Sequence, residues 1–273
     1  MACLRVEAAG RHRKGERLKV KLLPSRAGSA SQHQALTSFL VNGCVAVDGG
    51  SIGFALAPEE MLAFRHIVVT HAHSDHTASL PIFVAEVFPK LDEPVVIYAQ
   101  PEVISDIRQF IFNDHIWPDF AKIPLGNARG PALEFRELES GAKIEICGLT
   151  VTPIPVNHVV PTMGLIVRDG DASVVFTSDT YVTDSIWQAA REVEGLKAIF
   201  VDVSFPNEME ELAAASKHFT PKSLAADLKK LNRDVEIYAV HIKPSNREQV
   251  ISQLGQLTNP AVQVAQIGLV YEW

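Results

Sequence analysis

His71-Ala-His73-Ser-Asp75-His76 constrains this chain more than any other stretch of its 273 residues. Three of the ten histidines and a carboxylate fall within six positions, directly after the apolar run His66-Ile-Val-Val-Thr70. A buried strand that stops at such a cluster delivers nitrogen and oxygen ligands to one point in space. His71 and His73 alternate along extended chain, so their rings can converge on one ion. Asp75 and His76 open the next helical pattern and can turn toward a second. Imidazole and carboxylate are borderline ligands that suit zinc and its neighbours. A solvated turn rich in histidine is the competing reading. It sits poorly with a β-branched run leading in and an Asp directly beside a His, so the stretch predicts a metal site.

Composition narrows what such a site serves. The length fits one large domain or two small ones, and 47% hydrophobic with 21% charged residues is ordinary for a globular protein. No apolar stretch approaches a membrane span. The start, Met1-Ala-Cys-Leu-Arg-Val-Glu, lacks the charged-then-apolar profile of a secretory signal. Cys3, Cys44 and Cys147 are far apart and odd in number. They suggest neither a disulfide framework nor a cysteine metal site, and point to a reducing cytoplasm. Net charge is −7, and the only basic run is Arg11-His-Arg-Lys14. Proteins that grip long nucleic acid carry a clear cationic footprint. The balance here favours a small substrate, with no membrane and no long nucleic acid as partner. Residues 1–16 read as a solvated or disordered N-terminal arm, and 17–273 as one domain.

From Arg17 onward short β-runs alternate with helical segments. Leu18–Leu23, Leu36–Val41 and Cys44–Val47 read as a β-meander. The helical segment Pro58–Phe64 leads into strand His66–Thr70 and the histidine cluster. A helix from His76 to about Val87, strand Val95–Tyr98 and a helix begun by Pro101 follow. A second meander spans Leu133–Phe135, Lys143–Ile146, Leu149–Val156, Met163–Val167 and Ser173–Thr177. Strand Ala198–Val203, helical segments Glu208–Ala215 and Pro221–Leu231, strand Val235–His241, helix Arg247–Leu257 and strand Ala261–Gln266 complete the pattern. Each half is a meander followed by β/α units. Two mixed sheets face to face, with helices outside, would bury all these strands in an α/β fold.

Other candidate residues share one kind of position. His158 follows Thr150-Val-Thr-Pro-Ile-Pro-Val156, Asp179 follows Ser173-Val-Val-Phe-Thr177, His241 follows Glu236-Ile-Tyr-Ala-Val240, and Asp202 lies near the end of Ala198-Ile-Phe-Val201. Each alone reads as a polar turn residue. Together they lie where α/β folds place ligands and chemistry, at strand ends along one sheet edge. The set matches a two-metal site. His71, His73 and His158 can hold one ion, Asp75, His76 and His241 the other, and Asp179 can bridge them. With two zinc ions and a bridging hydroxide the net charge is about +1, which suits a singly charged phosphodiester.

These residues resemble the metallo-β-lactamase superfamily, whose ligand motif is HxHxDH followed by distant His, Asp and His. The resemblance runs from about Lys19 to the end. It implies a four-layer αββα sandwich. Asp179 stands where true β-lactamases carry cysteine, which disfavours antibiotic hydrolysis. Val201-Asp-Val-Ser-Phe205, Lys217-His-Phe-Thr-Pro-Lys222 and Val240-His-Ile-Lys-Pro244 resemble stretches of class II cyclic-nucleotide phosphodiesterases. Ile111-Phe-Asn-Asp-His-Ile-Trp-Pro-Asp-Phe120 and Val156-Asn-His-Val-Val-Pro-Thr162 are similar to their bacterial relatives. Ser74, where many of these enzymes have Leu or Gly, supplies no ligand.

The resemblance implies a dinuclear phosphodiesterase that hydrolyses 3′,5′-cyclic AMP or GMP to 5′-monophosphates through a metal-bridging hydroxide. Zinc is the expected metal, with manganese or iron as substitutes. His218, before the helix signal Thr220-Pro221, reads either as a helix-flanking histidine or as the general acid for the leaving alkoxide. Asp202 is its natural carboxylate partner, although many family members use Glu there. Asn113, His115, Trp117 and Thr162 are candidate substrate contacts, with Trp117 read equally as a structural plug. A ribonuclease Z-like endonuclease is the nearest rival. Its substrate arm has little room in the 20 residues, 159–178, between His158 and Asp179. A non-catalytic cyclic-nucleotide sensor would need no proton donor. A carboxylic-ester or lactone hydrolase is the remaining alternative. Homodimerisation is common in the superfamily and is an expectation for this chain.

Overall fold

Strands that are apolar at every position need cover on both faces, and this chain supplies it by stacking two sheets. The computed structural model describes residues 17–29 and 31–273, and the expected N-terminal arm lies outside the described residues. The first sheet contains β1 (Lys19–Leu22), β2 (Phe39–Val41), β3 (Val45–Val47), β4 (His66–Val68), β5 (Val95–Ala99) and β6 (Leu133–Glu137). The second contains β7 (Ile144–Ile146), β8 (Leu149–Pro155), β9 (Met163–Asp169), β10 (Ala172–Phe176), β11 (Leu196–Asp202), β12 (Glu236–Val240) and β13 (Gln263–Val264). β14 (Val270–Glu272) crosses back to complete the first, so both sheets have seven strands. In each, an antiparallel meander is followed by parallel pairs: β3–β4–β5–β6 in one, β10–β11–β12–β13 in the other.

Alternation along the strands sorts side chains into three apolar layers. Val96 and Tyr98 of β5 face the seam between sheets, while Val95, Ile97 and Ala99 face outward. Ala198 and Phe200 of β11 face the seam, while Ile199 and Val201 face outward. The outward face of the first sheet is covered by helices 52–55, 80–87 and 101–110, that of the second by helices 185–192, 221–227 and 247–254. This is the expected αββα arrangement. Phe200 sits in the seam, stacked 5.3 Å from Phe176 and 5.4 Å from Tyr238, with Tyr271 edge-on at 5.5 Å. No helix among the described residues is long and apolar enough to cross a membrane.

The structure departs from the sequence reading in places. The helix expected from His76 to Val87 is two helices, Ser74–Thr77 and Leu80–Val87. Ser79 lies between them, where its hydroxyl donates to the Gly49 carbonyl and accepts from the Gly53 amide. A tertiary contact thus overrides helix continuity. The strand expected over Ala261–Gln266 is confined to Gln263–Val264. β14 had no sequence signal beyond three residues, and it pairs with β1 at Lys19↔Glu272, Val20↔Tyr271 and Lys21↔Val270.

Phe200→Ala removes the ring that joins the seam's aromatic residues and leaves a cavity. The expected loss is about 3–5 kcal/mol of stability, read as a lower denaturation midpoint in urea with little change in slope.

Candidate metal centre

The strands that carry the candidate residues all end at one edge. β3 and β4 run parallel, as do β10, β11 and β12, and β8 shares the direction of β10 because each is antiparallel to β9. Asp48 follows β3, the histidine motif follows β4, His158 follows β8, Asp179 follows β10, Asp202 ends β11 and His241 follows β12. His73 is the extended cap of helix Ser74–Thr77, so Asp75 and His76 occupy its first turns. Two sharp turns redirect the chain at this edge: Ser178 has φ 55° and His241 φ 61°. Lys217, at φ 59°, closes helix Glu210–Ser216 and leaves His218 facing the same edge.

Side-chain atoms converge accordingly. Ligand atoms of His71, His73, His158 and Asp179 all lie within 4.8 Å of one another, and so do those of Asp75, His76 and His241. Asp179 joins the two groups. It is 3.6 Å from His71 Nε2, 3.3 Å from His76 Nε2 and 3.5 Å from His241 Nδ1. His241 Nε2 lies 3.0 Å from Asp75 Oδ2. Asp202 and His218 form a third such group with Asp179 and His241. Their mutual contact is tighter: His218 Nδ1 is 2.8 Å from Asp202 Oδ2.

The donor set fits a divalent cation. The buried Nε2 atoms of His71 and His76 face Asp179 at ion-pair distance but make no well-formed hydrogen bond, whereas buried polar atoms are ordinarily paired. His158 Nε2 and His73 Nδ1 are 3.3 Å apart. Two nitrogens bound tetrahedrally at zinc distances would be about 3.3–3.4 Å apart. The opposite nitrogens are anchored from outside: His71 Nδ1 by Thr70 Oγ1 at 3.1 Å, His76 Nδ1 by Asp48 at 2.8 Å, His158 Nδ1 by the Lys217 carbonyl at 3.1 Å, and His241 Nδ1 by Ser204 Oγ at 2.9 Å. Such outer partners fix the ring orientation of metal-binding histidines.

Charge is balanced by protons when no cation is present. Burial holds His71 well below the ordinary histidine range and also lowers His73 and His158. These are neutral imidazoles, the form that binds metal. Burial acts the same way on His76, but the Asp179 and Asp48 carboxylates outweigh it and raise that residue well above its usual value. His241 is likewise opposed by burial, yet Asp179 and hydrogen bonds with Asp202 and Asp75 bring it up to about 9. Burial would raise Asp179, but His241 and His76 hold it well below the usual carboxylate range. Asp202 falls to about 2, with His218 and His241 overcoming its burial.

The four expected substrate contacts are not joined to this cluster by any hydrogen bond among the described residues. Asn113 Oδ1 accepts from the amides of His115 and Ile116, and its Nδ2 donates to the Gln109 carbonyl. Its polar atoms are therefore spent on its own turn, as Asn in loops commonly is. Thr162 Oγ1 donates to the Val160 carbonyl. Trp117 packs against the outer core of the first sheet and its Nε1 is buried without a partner. His115 is exposed. Sequence reasoning also missed Asp48, which accepts from both the amide and hydroxyl of Thr70 besides holding His76. It ends an apolar β-run, the same signal that identified Asp179. A groove of about 1130 Å³ opens at the opposite edge beside Leu196 and Val235 and includes none of the site residues.

Two outcomes follow from this geometry. A Cβ on Gly50 would lie 2.0 Å from the Asp75 carbonyl oxygen and 2.7 Å from that of Thr37. Gly50→Ala should therefore displace the Asp75–His76 turn and lower bound divalent metal, measured by elemental analysis after dialysis. Cation uptake must also expel the proton of His241, whose pKa is about 9. Adding zinc at pH 7 in weak buffer should release at least about one proton per chain, followed with an indicator dye. Affinity should weaken as pH falls below 9, by about tenfold per unit for each proton displaced.

A profile described as a β-lactamase superfamily domain matches residues 9–242. The chain is 25% identical over 216 residues to a Yersinia pestis protein described as a probable 3′,5′-cyclic-nucleotide phosphodiesterase, over 69% of this chain and 61% of that one. It is 25% identical over 155 residues to the chloroplastic tRNase Z TRZ2 of Arabidopsis thaliana, over 55% of this chain and 41% of that one. It thus spans less than two thirds of either relative. The structure of unliganded yeast PDE1 superposes with a TM-score of 0.78 at 16% identity, covering 94% of this chain and 100% of that one. With a family match over most of its length and the two-sheet sandwich to go with it, the chain belongs to the β-lactamase superfamily.

Proposed function

We propose that this protein is a metal-dependent phosphodiesterase that hydrolyses 3′,5′-cyclic nucleotides to 5′-nucleoside monophosphates. The observation that carries the reading is the His218–Asp202 pair, 2.8 Å apart, set beside the His/Asp cluster. A site that only holds metal has no need of an imidazole oriented by a buried carboxylate.

His71, His73, His158, Asp75, His76, His241 and Asp179 would hold two divalent ions, zinc by donor type or manganese or iron. Such ions, when bound, supply Lewis acidity and activate water at neutral pH. The remaining roles belong to the chain. Asp179 fixes the separation of the two ligand groups by touching histidines of both. Asp202 Oδ2 occupies His218 Nδ1 and so leaves Nε2 for the substrate. His218 is stacked on His241 with ring centroids 5.4 Å apart and lies 5.1 Å from the His158 ring. From there Nε2 can give its proton to the departing 3′ oxygen of the ribose.

The β9–β10 hairpin fills the interval between His158 and Asp179. That leaves no separate arm for gripping tRNA, and with the net charge of −7 it favours a small substrate over a precursor tRNA. The partial likeness to the Yersinia pestis protein supports the same choice.

His218→Ala is the decisive test. A ribose alkoxide leaves poorly without a proton, whereas p-nitrophenolate leaves readily. General acid catalysis contributes about 10²–10⁴-fold, so kcat/KM on cyclic AMP should fall by that much. It should fall far less on bis-(p-nitrophenyl) phosphate, with metal content unchanged. Equal losses on both substrates together with lost metal would make His218 a ligand instead.

A further inference from the structure

Lys243 has no role in the scheme above, yet its ammonium group touches the cluster. Nζ lies 3.4 Å from Asp75 Oδ2 and 3.3 Å from His241 Nε2. Among the described residues no other Lys or Arg side chain pairs with Asp75, Asp179 or Asp202. The backbone at this point is fixed: the Lys243 amide donates to the Ser204 carbonyl at 3.4 Å, and Pro244 opens a short 3₁₀ turn directly after it. The side chain is not, being 33% exposed at the open edge of the site.

Asp75 Oδ2 and His241 Nε2 are also the atoms those residues would offer to a divalent ion. An ion placed there shares these donors with Lys243 and repels its charge. A four-carbon stem lets the ammonium swing away while its Cα stays put. It then stands beside the cluster, partly exposed, as a cation without its carboxylate.

We propose that Lys243 is the charge-selecting residue of the substrate site. It rests on Asp75 and His241 in the ion-free protein and pairs with a non-bridging phosphoryl oxygen once the site is loaded. The inference rests on the phosphodiesterase reading and deepens it, because it gives the site a means to prefer an anionic phosphodiester to a neutral ester. A loaded cluster of about +1 already favours an anion in general, and Lys243 would add a directional cation for one phosphoryl oxygen at its rim.

The test compares the metal-loaded full chain with Lys243→Met and Lys243→Arg. Inorganic phosphate serves as the probe, titrated by calorimetry. A charge-assisted contact made by a partly exposed side chain is modest, so Lys243→Met should bind phosphate roughly three- to tenfold more weakly. Lys243→Arg should stay near wild type. Metal should be held at least as tightly in Lys243→Met, since a competing cation is gone. In turnover, KM for bis-(p-nitrophenyl) phosphate should rise by the same factor with kcat little changed, while KM for neutral p-nitrophenyl acetate should not move. Unchanged phosphate affinity in Lys243→Met overturns the proposal. So does a loss of metal in that variant, which would make Lys243 a support for His241. If Lys243→Met weakens phosphate but the wild type cleaves no phosphodiester, the anion role stands and the phosphodiesterase reading fails.

Discussion

A single buried carboxylate organises this molecule. Asp179 is 2% exposed and lies at the seam where the two sheets meet. Burying an unpaired carboxylate costs several kcal/mol, and here histidines from two other strand ends supply the partners. His71 and His76 come from the first sheet and His241 from the second. Satisfying one charge therefore fixes how the ends of both sheets sit against each other. Thr70 adds to the same seam. Its hydroxyl accepts from Ser178 at 2.8 Å, and its carbonyl accepts from the Met163 amide at 3.1 Å.

The apolar seam between the sheets and the polar edge above it are consequences of the same strands. Val47, Val68, Phe176 and Val240 pack in the inter-sheet core, and the chain continues from each into Asp48, the His71–His76 motif, Asp179 and His241. Strand packing sets the height at which each polar residue emerges, and short outer contacts set its rotation. The site is thus carried by rigid elements with little loop between core and ligand, which is how a constellation of this kind keeps its geometry.

Much of this was legible in the sequence because the signals were local. Six consecutive residues contain both halves of a ligand set, and apolar runs ending in Asp or His identify His158, Asp179, Asp202 and His241. Asp48 obeys the same rule, but the Gly-Gly that follows it reads first as a turn. The four expected substrate contacts come from two stretches, 111–120 and 156–162, that composition and resemblance single out, and neither carries information on side-chain direction. Asn113 turns its polar atoms into its own backbone, and Trp117 turns its ring toward the outer core. Ser204 and Lys243 lie in stretches that carry the family resemblance, but their contacts had no sequence signal, since they depend on which strand ends become neighbours. β14 was invisible for a related reason: three residues state no period, and only the edge of β1 gives them a partner.

Ser204 shows how closely the ligand cluster and the acid pair are joined. Its hydroxyl donates to Asp202 Oδ1 at 2.7 Å and lies 2.9 Å from His241 Nδ1 and 3.3 Å from His218 Nδ1. A hydroxyl has one hydrogen, and with it committed to Asp202 the oxygen can only accept from His241 Nδ1. That places the hydrogen of a neutral His241 on Nδ1 and turns the lone pair of Nε2 toward Asp75 and the position a cation would take. Asp202 uses its other oxygen to accept from His218 Nδ1 at 2.8 Å, which leaves His218 Nε2 as the nitrogen not engaged by that carboxylate. One carboxylate and one hydroxyl therefore set the orientation of both imidazoles, which in the proposed phosphodiesterase would turn one toward metal and the other toward the leaving group. Because Asp202 ends β11 and Ser204 follows two residues later, this division of labour is imposed by a single turn of backbone at the end of a central strand.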